Sequence, residues 1–263
     1  MATTTEPSSV RPDRPVPIKT RSSGPGIVRF YRSAVGKKWV MAITGVMLIG
    51  FVLFHLLGNI KLYLSREEIN LYGEALRNIP EHILPRTWLL WGLRLGLIGA
   101  FALHIHSAYG LTRINRKARP QGYQSKRDYI AADFASRTMR WTGVIVALYL
   151  VFHLMDLTWG TANPEFERGD PYNNLIYSLQ RPAIAAVYVL ANVALAIHLF
   201  HGTWSMFQSM GVNNPRINGL RRPLATTIAA IVLVGNLSFP IAVQLHLVEP
   251  VCPGENPTEP CES

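Results

Sequence analysis

Seven of the eight histidines lie in or beside long uncharged stretches of the sequence, where an ionisable ring is costly to bury. A neutral imidazole offers a lone pair to a metal, and two imidazoles from different helices can form the axial ligand pair of a haem iron. A single buried histidine more often hydrogen-bonds a backbone carbonyl. Because the histidines are spread over several apolar segments, the pattern favours redox ligation over packing.

Five apolar segments must position these rings, and each is long enough to cross the ~30 Å hydrocarbon layer as a helix. We predict helices at about 39–61, 88–112, 139–159, 182–207 and 223–248. Pro182 and Pro223 are expected at helix starts, and Pro240 inside the fifth helix. The predicted fold class is an all-α integral membrane protein, with a five-helix bundle over 29–248 and no evident internal repeat.

The distribution of lysine and arginine predicts the orientation of the bundle. Residues 1–38 carry eight such residues, the loop 113–140 carries eight, and the tail 247–263 carries none. This bias predicts a cytoplasmic N-terminus and an external C-terminus, and it accounts for the net charge of +10 without nucleic acid. Residues 1–28 lack the apolar core of a signal peptide and are expected to form a disordered or partner-bound arm.

Depth along the helices sorts the histidines into two levels. His55 and His153 lie at similar depth in two outward helices, which predicts an outer pair. Two inward helices each carry two candidates for an inner pair, which is His104 or His106 with His198 or His201. The sequence therefore predicts two centres, each bridged by imidazoles from two helices.

A series of ordered motifs carries a family resemblance over about 30–215. The stretches are SAVGKKWVMAITG (33–45), FHLLGN (54–59), INLYGEAL (69–76), ALHIHSAYGLTRINRKARPQGY (102–123), SRTMRWTG (136–143), FHLMDLTWG (152–160), YNNLIYSL (172–179) and IHLFHGTWSMFQSMG (197–211). The chain resembles the cytochrome b membrane-anchor subunit of succinate dehydrogenase/fumarate reductase, of the single-subunit, five-helix b558 kind. In that family one histidine from each of four helices binds two b haems. Carried over, the ligands fall on His55, His153, His106 and His201, with His106 chosen for its HSAYGL context and His201 because Gly202 follows it.

The resemblance also implies the partners and the reaction. A flavoprotein subunit and an iron–sulfur subunit are expected on the cytoplasmic face of a bacterial plasma membrane, and electrons from succinate are expected to reduce menaquinone or ubiquinone. This chain would lack a dehydrogenase site of its own. The alternatives are another b-type quinone cytochrome, or a non-redox anchor or transporter whose histidines relay protons.

Helix-end side chains are the candidates for a quinone site, although such residues also serve as interfacial anchors. They are Ser33, Lys37, Trp39, Arg140, Trp141 and Gln208. Asp156 follows His153 and is expected either to relay protons or to end a helix in water.

The C-terminal tail, residues 249–263, lies outside the resemblance and holds both cysteines, Cys252 and Cys261. An external disulfide is one interpretation. A Rieske-type [2Fe–2S] cluster with His55 and His153 is another, and zinc could use the same four groups. Unligated thiols are the remaining one.

Overall fold

The computed structural model describes residues 25–78, 85–118, 130–212 and 214–251, with the backbone alone described for 130–137. The regular elements of these residues are helical, and five helices are long and apolar enough to cross a membrane, which confirms the predicted fold class. The helices are α1 (Gly26–Arg32), α2 (Ala34–Asn59), α3 (Arg66–Asn78), α4 (Trp88–Ala118), α5 (Ile130–Leu157), α6 (Pro171–Gln180), α7 (Pro182–Ser209) and α8 (Pro215–Gln244). A 3-10 turn, Ile60–Tyr63, extends α2.

Local capping explains where the spans begin. The Ser33 hydroxyl accepts a hydrogen bond from the Gly36 amide at 2.9 Å, so α2 begins earlier than the apolar segment does. Pro182 occupies the first turn of α7, as predicted. Helix α8 differs from the prediction because Asn214 caps it by accepting from the Arg216 amide at 3.0 Å, which leaves Pro223 inside the helix.

Helices α2 and α7 form the centre of the bundle. Helix α2 packs against α4, α7 and α8, while α7 also packs against α5 and α8. Large apolar side chains cover the outer faces, where Phe54 is 73% exposed and Leu190 is 69% exposed in the isolated chain. Such apolar faces suit contact with lipid tails. The helices themselves satisfy the backbone hydrogen bonds, for which lipid offers no partners.

Two short helices, α3 and α6, close one end of the bundle. The segment Arg66–Asn78, between the first two spans, forms α3, with Ile69 buried. The connection between α5 and α7 contains α6, whose Ile176 and Leu179 have no exposed surface. Asp170 joins the two helices, because it caps α6 and accepts hydrogen bonds from Arg66 and Asn70 of α3 at 2.7–3.1 Å and 2.9 Å.

The bundle contains an internal repeat, so the expectation of none is wrong. Seven residues of α2 are identical to the residues of α5 that lie 98 positions later. In α2 they are residues 41, 44, 45, 46, 54, 55 and 56, and in α5 residues 139, 142, 143, 144, 152, 153 and 154. A weaker match relates α4 to α7, where ALHI (102–105) corresponds to AIHL (196–199). The four helices that carry the candidate ligands are therefore two copies of one helix pair.

Candidate functional site

The structure brings His55 of α2 and His153 of α5 together. Their ring centroids are 5.9 Å apart, with the planes nearly perpendicular at 88°. Each ring also contacts an aromatic residue one turn earlier in its own helix. His55 stacks on Phe51 at 5.4 Å, and His153 packs on Tyr149 at 5.7 Å. The predicted outer pair is thus adjacent, and its role as a ligand pair stays a prediction.

The second pair in the structure is His104 of α4 with His198 of α7, whose ring centroids are 6.4 Å apart. The residues chosen at the sequence level lie elsewhere. His106 is exposed, and its Nδ1 is hydrogen-bonded to the Tyr31 hydroxyl. His201 is buried against Trp204, with ring centroids 6.3 Å apart. The geometry therefore favours His104 and His198 over His106 and His201 as a facing pair.

Helix α2 determines which nitrogen of His104 carries the proton. The Nδ1 atom lies 3.2 Å from the Met41 carbonyl oxygen and 3.2 Å from the Thr44 hydroxyl. A carbonyl oxygen can only accept, and the Thr44 hydroxyl already donates to the Val40 carbonyl at 2.7 Å. Nδ1 of His104 must therefore be the N–H donor, which leaves the lone pair on Nε2.

The same arrangement holds His198 against α5. Its Nδ1 lies 3.3 Å from the Thr142 hydroxyl, which donates to the Thr138 carbonyl at 2.9 Å. The Met139 carbonyl is hydrogen-bonded to the same ring. Both rings of this pair are thus fixed in the tautomer that offers Nε2 as a metal ligand.

Small residues bring each ring close to the helix that holds it. A Cβ atom added to Gly45 would lie 3.5 Å from Cε1 of His104, and one added to Gly143 would lie 3.4 Å from Cε1 of His198. Gly45 and Gly143 follow the two threonines directly and occupy equivalent positions in the repeat. A methyl group at either position would meet the imidazole edge at ordinary contact distance, so the two glycines mark where each ring packs on the neighbouring helix.

The spacing of each pair suits two ligands of one metal. A bond from a metal to a histidine nitrogen is about 2.0–2.1 Å, so rings on opposite sides of one ion have centres roughly 6 Å apart. The observed separations are 5.9 Å and 6.4 Å. In the part of the chain that the structure describes, no three His, Cys, Asp or Glu residues group as metal ligands. Two facing imidazoles from different helices are a donor set that fits a haem, whose porphyrin supplies the remaining ligands.

A buried hydrogen-bonded network supports His153. Nδ1 of His153 lies 3.4 Å from the Tyr188 hydroxyl, which donates to Asp156 at 2.7 Å. Asp156 has no exposed surface and also accepts from Arg181 at 2.9 Å and from the Ser178 hydroxyl. The alternative of a solvated helix end is therefore wrong for Asp156. Three donors converge on the two carboxylate oxygens, so the geometry favours a role for Asp156 as the acceptor that fixes Tyr188.

The candidate quinone residues lie on three helices. Those of α2 and α7 are near helix ends as expected, whereas Arg140 and Trp141 lie inside α5, because this helix begins at Ile130. Ser33 is engaged as the cap of α2, while Lys37 is 9% exposed with Nζ 4.5 Å above the Tyr31 ring. The others are exposed side chains: Trp39, Arg140, Trp141 and Gln208. The structure gives Lys37 a buried setting against Gly110 of α4. Cys252 and Cys261 lie outside the described residues.

Sequence reasoning missed the residues that hold the rings, namely Thr44, Thr142 and Tyr188. The signal for the first two was present as Met-x-x-Thr-Gly, which occurs at 41–45 and again at 139–143. A histidine follows each copy ten residues after its glycine. A search for repeats with this spacing would have found both threonines.

Comparison with known proteins gives one family match. The model of the succinate dehydrogenase/fumarate reductase transmembrane subunit matches residues 112–237, which include α5 and α7 with His153 and His198. No curated protein and no solved structure gave a significant match.

Proposed function

We propose that this chain is a member of the succinate dehydrogenase/fumarate reductase transmembrane subunit family, whose model matches residues 112–237, and that it carries electrons through the membrane part of that enzyme to a quinone. The chain is a multi-pass membrane protein and a subunit of an enzyme complex. A flavoprotein subunit and an iron–sulfur subunit would dock on its cytoplasmic face. The quinone would be menaquinone or ubiquinone, and the membrane a bacterial plasma membrane.

The observation that carries this proposal is the His104–His198 pair. Two imidazoles from different helices have their Nδ1 protons committed to acceptors behind them, and each retains an Nε2 lone pair. Within the described residues neither Nε2 has a hydrogen bond. Two half-buried rings in this tautomer, 6.4 Å apart, are suited to hold one iron between them.

A b haem held by these residues would accept and release one electron by cycling between ferric and ferrous iron. His104 and His198 would hold one such group, and His55 and His153 a second. Thr44 and His55 are eleven residues apart on α2, so the two levels are roughly 16 Å apart along the helix. The two pairs would thus provide two electron-carrying levels within one bundle.

The remaining predicted residues take supporting roles in the proposal. Lys37, buried beside Tyr31, would offer a cation to a quinone carbonyl at its end of the bundle. Asp156 would hold Tyr188 and, through it, His153. The proton-relay role of Asp156, and a [2Fe–2S] cluster or disulfide at Cys252 and Cys261, stay predictions.

Paired substitutions in the intact complex test the ligand assignment. His104→Ala with His198→Ala should remove one b-type component from the reduced-minus-oxidised optical spectrum, because the iron would lose both protein ligands. The matched control is His106→Ala with His201→Ala, which alters histidines on the same two helices and should leave that component in place. The amount of haem per milligram of purified complex gives the same comparison between the test and control variants.

Two results would overturn parts of the proposal. Loss of the component in the control but not in the test variant would assign the ligands to His106 and His201. A wild-type complex with neither a haem band nor the electron paramagnetic resonance of a [2Fe–2S] centre would favour the non-redox alternative. Co-purification of a flavoprotein separates the proposed complex from another b-type quinone cytochrome.

A further inference from the structure

We infer that Thr44 and Thr142 are matched positioning residues, one for each ring of the His104–His198 pair. The inference rests on the proposed function, and it adds residues that neither the family match nor the histidine pattern assigns. It concerns how each imidazole is held, not which group lies between the rings. Neither threonine would contact that group, so each acts through its histidine.

Both threonines are committed in the same way. Thr44 is 5% exposed and Thr142 is 6% exposed, so water does not compete for their hydroxyls. Each hydroxyl donates to the carbonyl four residues earlier in its own helix, at 2.7 Å for Thr44 and 2.9 Å for Thr142. Its proton is thereby used, and the oxygen faces the ring nitrogen as an acceptor at 3.2 or 3.3 Å.

An acceptor at Nδ1 fixes two properties of the histidine. It selects the tautomer in which Nε2 is unprotonated, and it sets the rotation of the ring about its own axis. A second acceptor, the carbonyl of Met41 or Met139, lies beside each threonine and supports the same tautomer. The two rings therefore present equivalent nitrogens, although they belong to different helices.

The repeat strengthens the inference, because the same residues recur where the same task recurs. Thr44 and Thr142 share the Met-x-x-Thr-Gly sequence, and each faces a histidine contributed by the other helix of its own half. Packing alone would not require a hydroxyl at either position, since valine has nearly the same shape. The structure gives the hydroxyl a specific partner in both halves.

The test compares isosteric variants in the intact complex. Thr44→Val and Thr142→Val should each lower the affinity of the centre for its cofactor, by roughly the 10-fold end of the 10–100-fold range known for partners of metal-bound histidines. The effect stays at the low end because the Met41 and Met139 carbonyls remain. Both variants should also shift the midpoint potential of the same spectral component, and Thr44→Ser should restore it.

Thr112→Val is the matched control, because the Thr112 hydroxyl donates to the Ala108 carbonyl at 2.9 Å in α4, four residues earlier as in the two test threonines. It should leave cofactor retention and potential unchanged. If Thr44→Val and Thr142→Val behave like Thr112→Val, the inference is wrong while the proposed function stands.

A second readout does not need a redox centre. Nitrogen-15 spectra of the histidine-labelled complex should show Nδ1–H on His104 and His198, with His104 altered in Thr44→Val and His198 altered in Thr142→Val. Protonation of Nε2 in the wild type would overturn the inference directly. Absence of any redox centre with the Nδ1–H tautomers intact would instead overturn the proposed function.

Discussion

The two histidine pairs differ in how evenly their surroundings are built. His104 and His198 each meet one threonine hydroxyl, at 3.2 Å and 3.3 Å, and one methionine carbonyl. In the other pair, His153 has a polar partner in Tyr188, whereas His55 rests on the ring of Phe51. The His104–His198 pair is therefore symmetric in its hydrogen bonding, whereas in the His55–His153 pair only His153 has a polar partner.

The difference follows from where the two copies of the repeat diverge. Three residues after the histidine, α2 has Gly58 and α5 has Asp156. Gly58 allows Tyr72 of α3 to pack against the backbone, while Asp156 binds the Tyr188 hydroxyl and Arg181 beside α6. The two copies thus differ where α3 packs on one and α6 on the other, and they agree at Thr44 and Thr142, which hold the symmetric pair.

The largest effect is expected from Asp156→Ala. The substitution leaves Arg181 without its carboxylate and Tyr188 without its acceptor, which should cost about 2–3 kcal/mol of unfolding free energy. This loss of unfolding free energy is smaller than for a fully buried ion pair, because one third of the Arg181 side chain is exposed. Thermal unfolding of the purified complex measures the loss. Ser178→Ala is the milder control, since it removes one donor to Asp156.

Asp156→Ala also tests whether the two histidine pairs are independent of each other. Asp156→Ala should alter the spectrum or potential of a centre at His55 and His153, because Tyr188 is released, and should spare the one at His104 and His198. An equal change at both centres would contradict a local role for the Asp156 network.

Asp170→Asn should have the next largest effect, and the effect should depend on pH. Burial acts to raise the pKa of Asp170, but hydrogen bonds from Arg66, Asn70 and Asn173 outweigh it and hold the pKa below its ordinary value. A lowered pKa in the folded state stabilises the fold above the unfolded value of about 3.9, and this stabilisation is lost as the pH falls through the folded value. The variant should therefore lose about 2 kcal/mol near pH 7.

Thermal unfolding at several pH values checks this prediction. The difference between wild type and Asp170→Asn should be constant from pH 5 to 8 and should shrink in more acidic buffer. Glu68→Gln is the matched control, because its ion pair with Lys61 is half exposed and should contribute less than about 1 kcal/mol. A difference that grows on acidification would contradict the assignment.

Gly58→Ala tests the residue of α2 that corresponds to Asp156 of α5 in the repeat. A Cβ atom there would lie 2.6 Å from Cε1 of Tyr72, so the ring must move. We expect a loss of about 1 kcal/mol, the low end for overpacking, because the Tyr72 ring is only half-buried. Gly50→Ala is the control, since nothing lies within 4 Å of its added Cβ. Equal stability of the two variants would show that α3 does not depend on this contact.

The spans and the pairing by depth could be read from the sequence because both depend on distance along a helix. The choice between His104 and His106 could not, since two residues differ by about 200° around the helix but only ~3 Å in height. His198 and His201 differ by about 60° around the helix and by ~4.5 Å in height. Only the packing of α4 against α2 and of α7 against α5 determines which rings face each other.

Helix α6 was missed for a different reason. Its sequence, PYNNLIYSLQ, has the polar composition of a loop, and its burial depends on partners distant in sequence. Asn173 binds Val251 through two hydrogen bonds, and Asp170 binds α3. A polar segment whose side chains find such partners can be buried, and composition alone does not reveal the partners.

The smallest effect is expected from Gly45→Ala and Gly143→Ala, which test the symmetry of the His104–His198 pair. Each added methyl would meet a histidine Cε1 at ordinary contact distance, 3.5 or 3.4 Å, and alanine favours helix by up to about 1 kcal/mol over glycine. Both variants should therefore fold with unfolding free energies within about 1 kcal/mol of wild type, and they should shift the centre at this pair equally. Thermal unfolding and the optical spectrum measure the two effects. A large loss in one variant and none in the other would break the equivalence of the two halves, because the repeat gives both rings the same distance to the helix behind them.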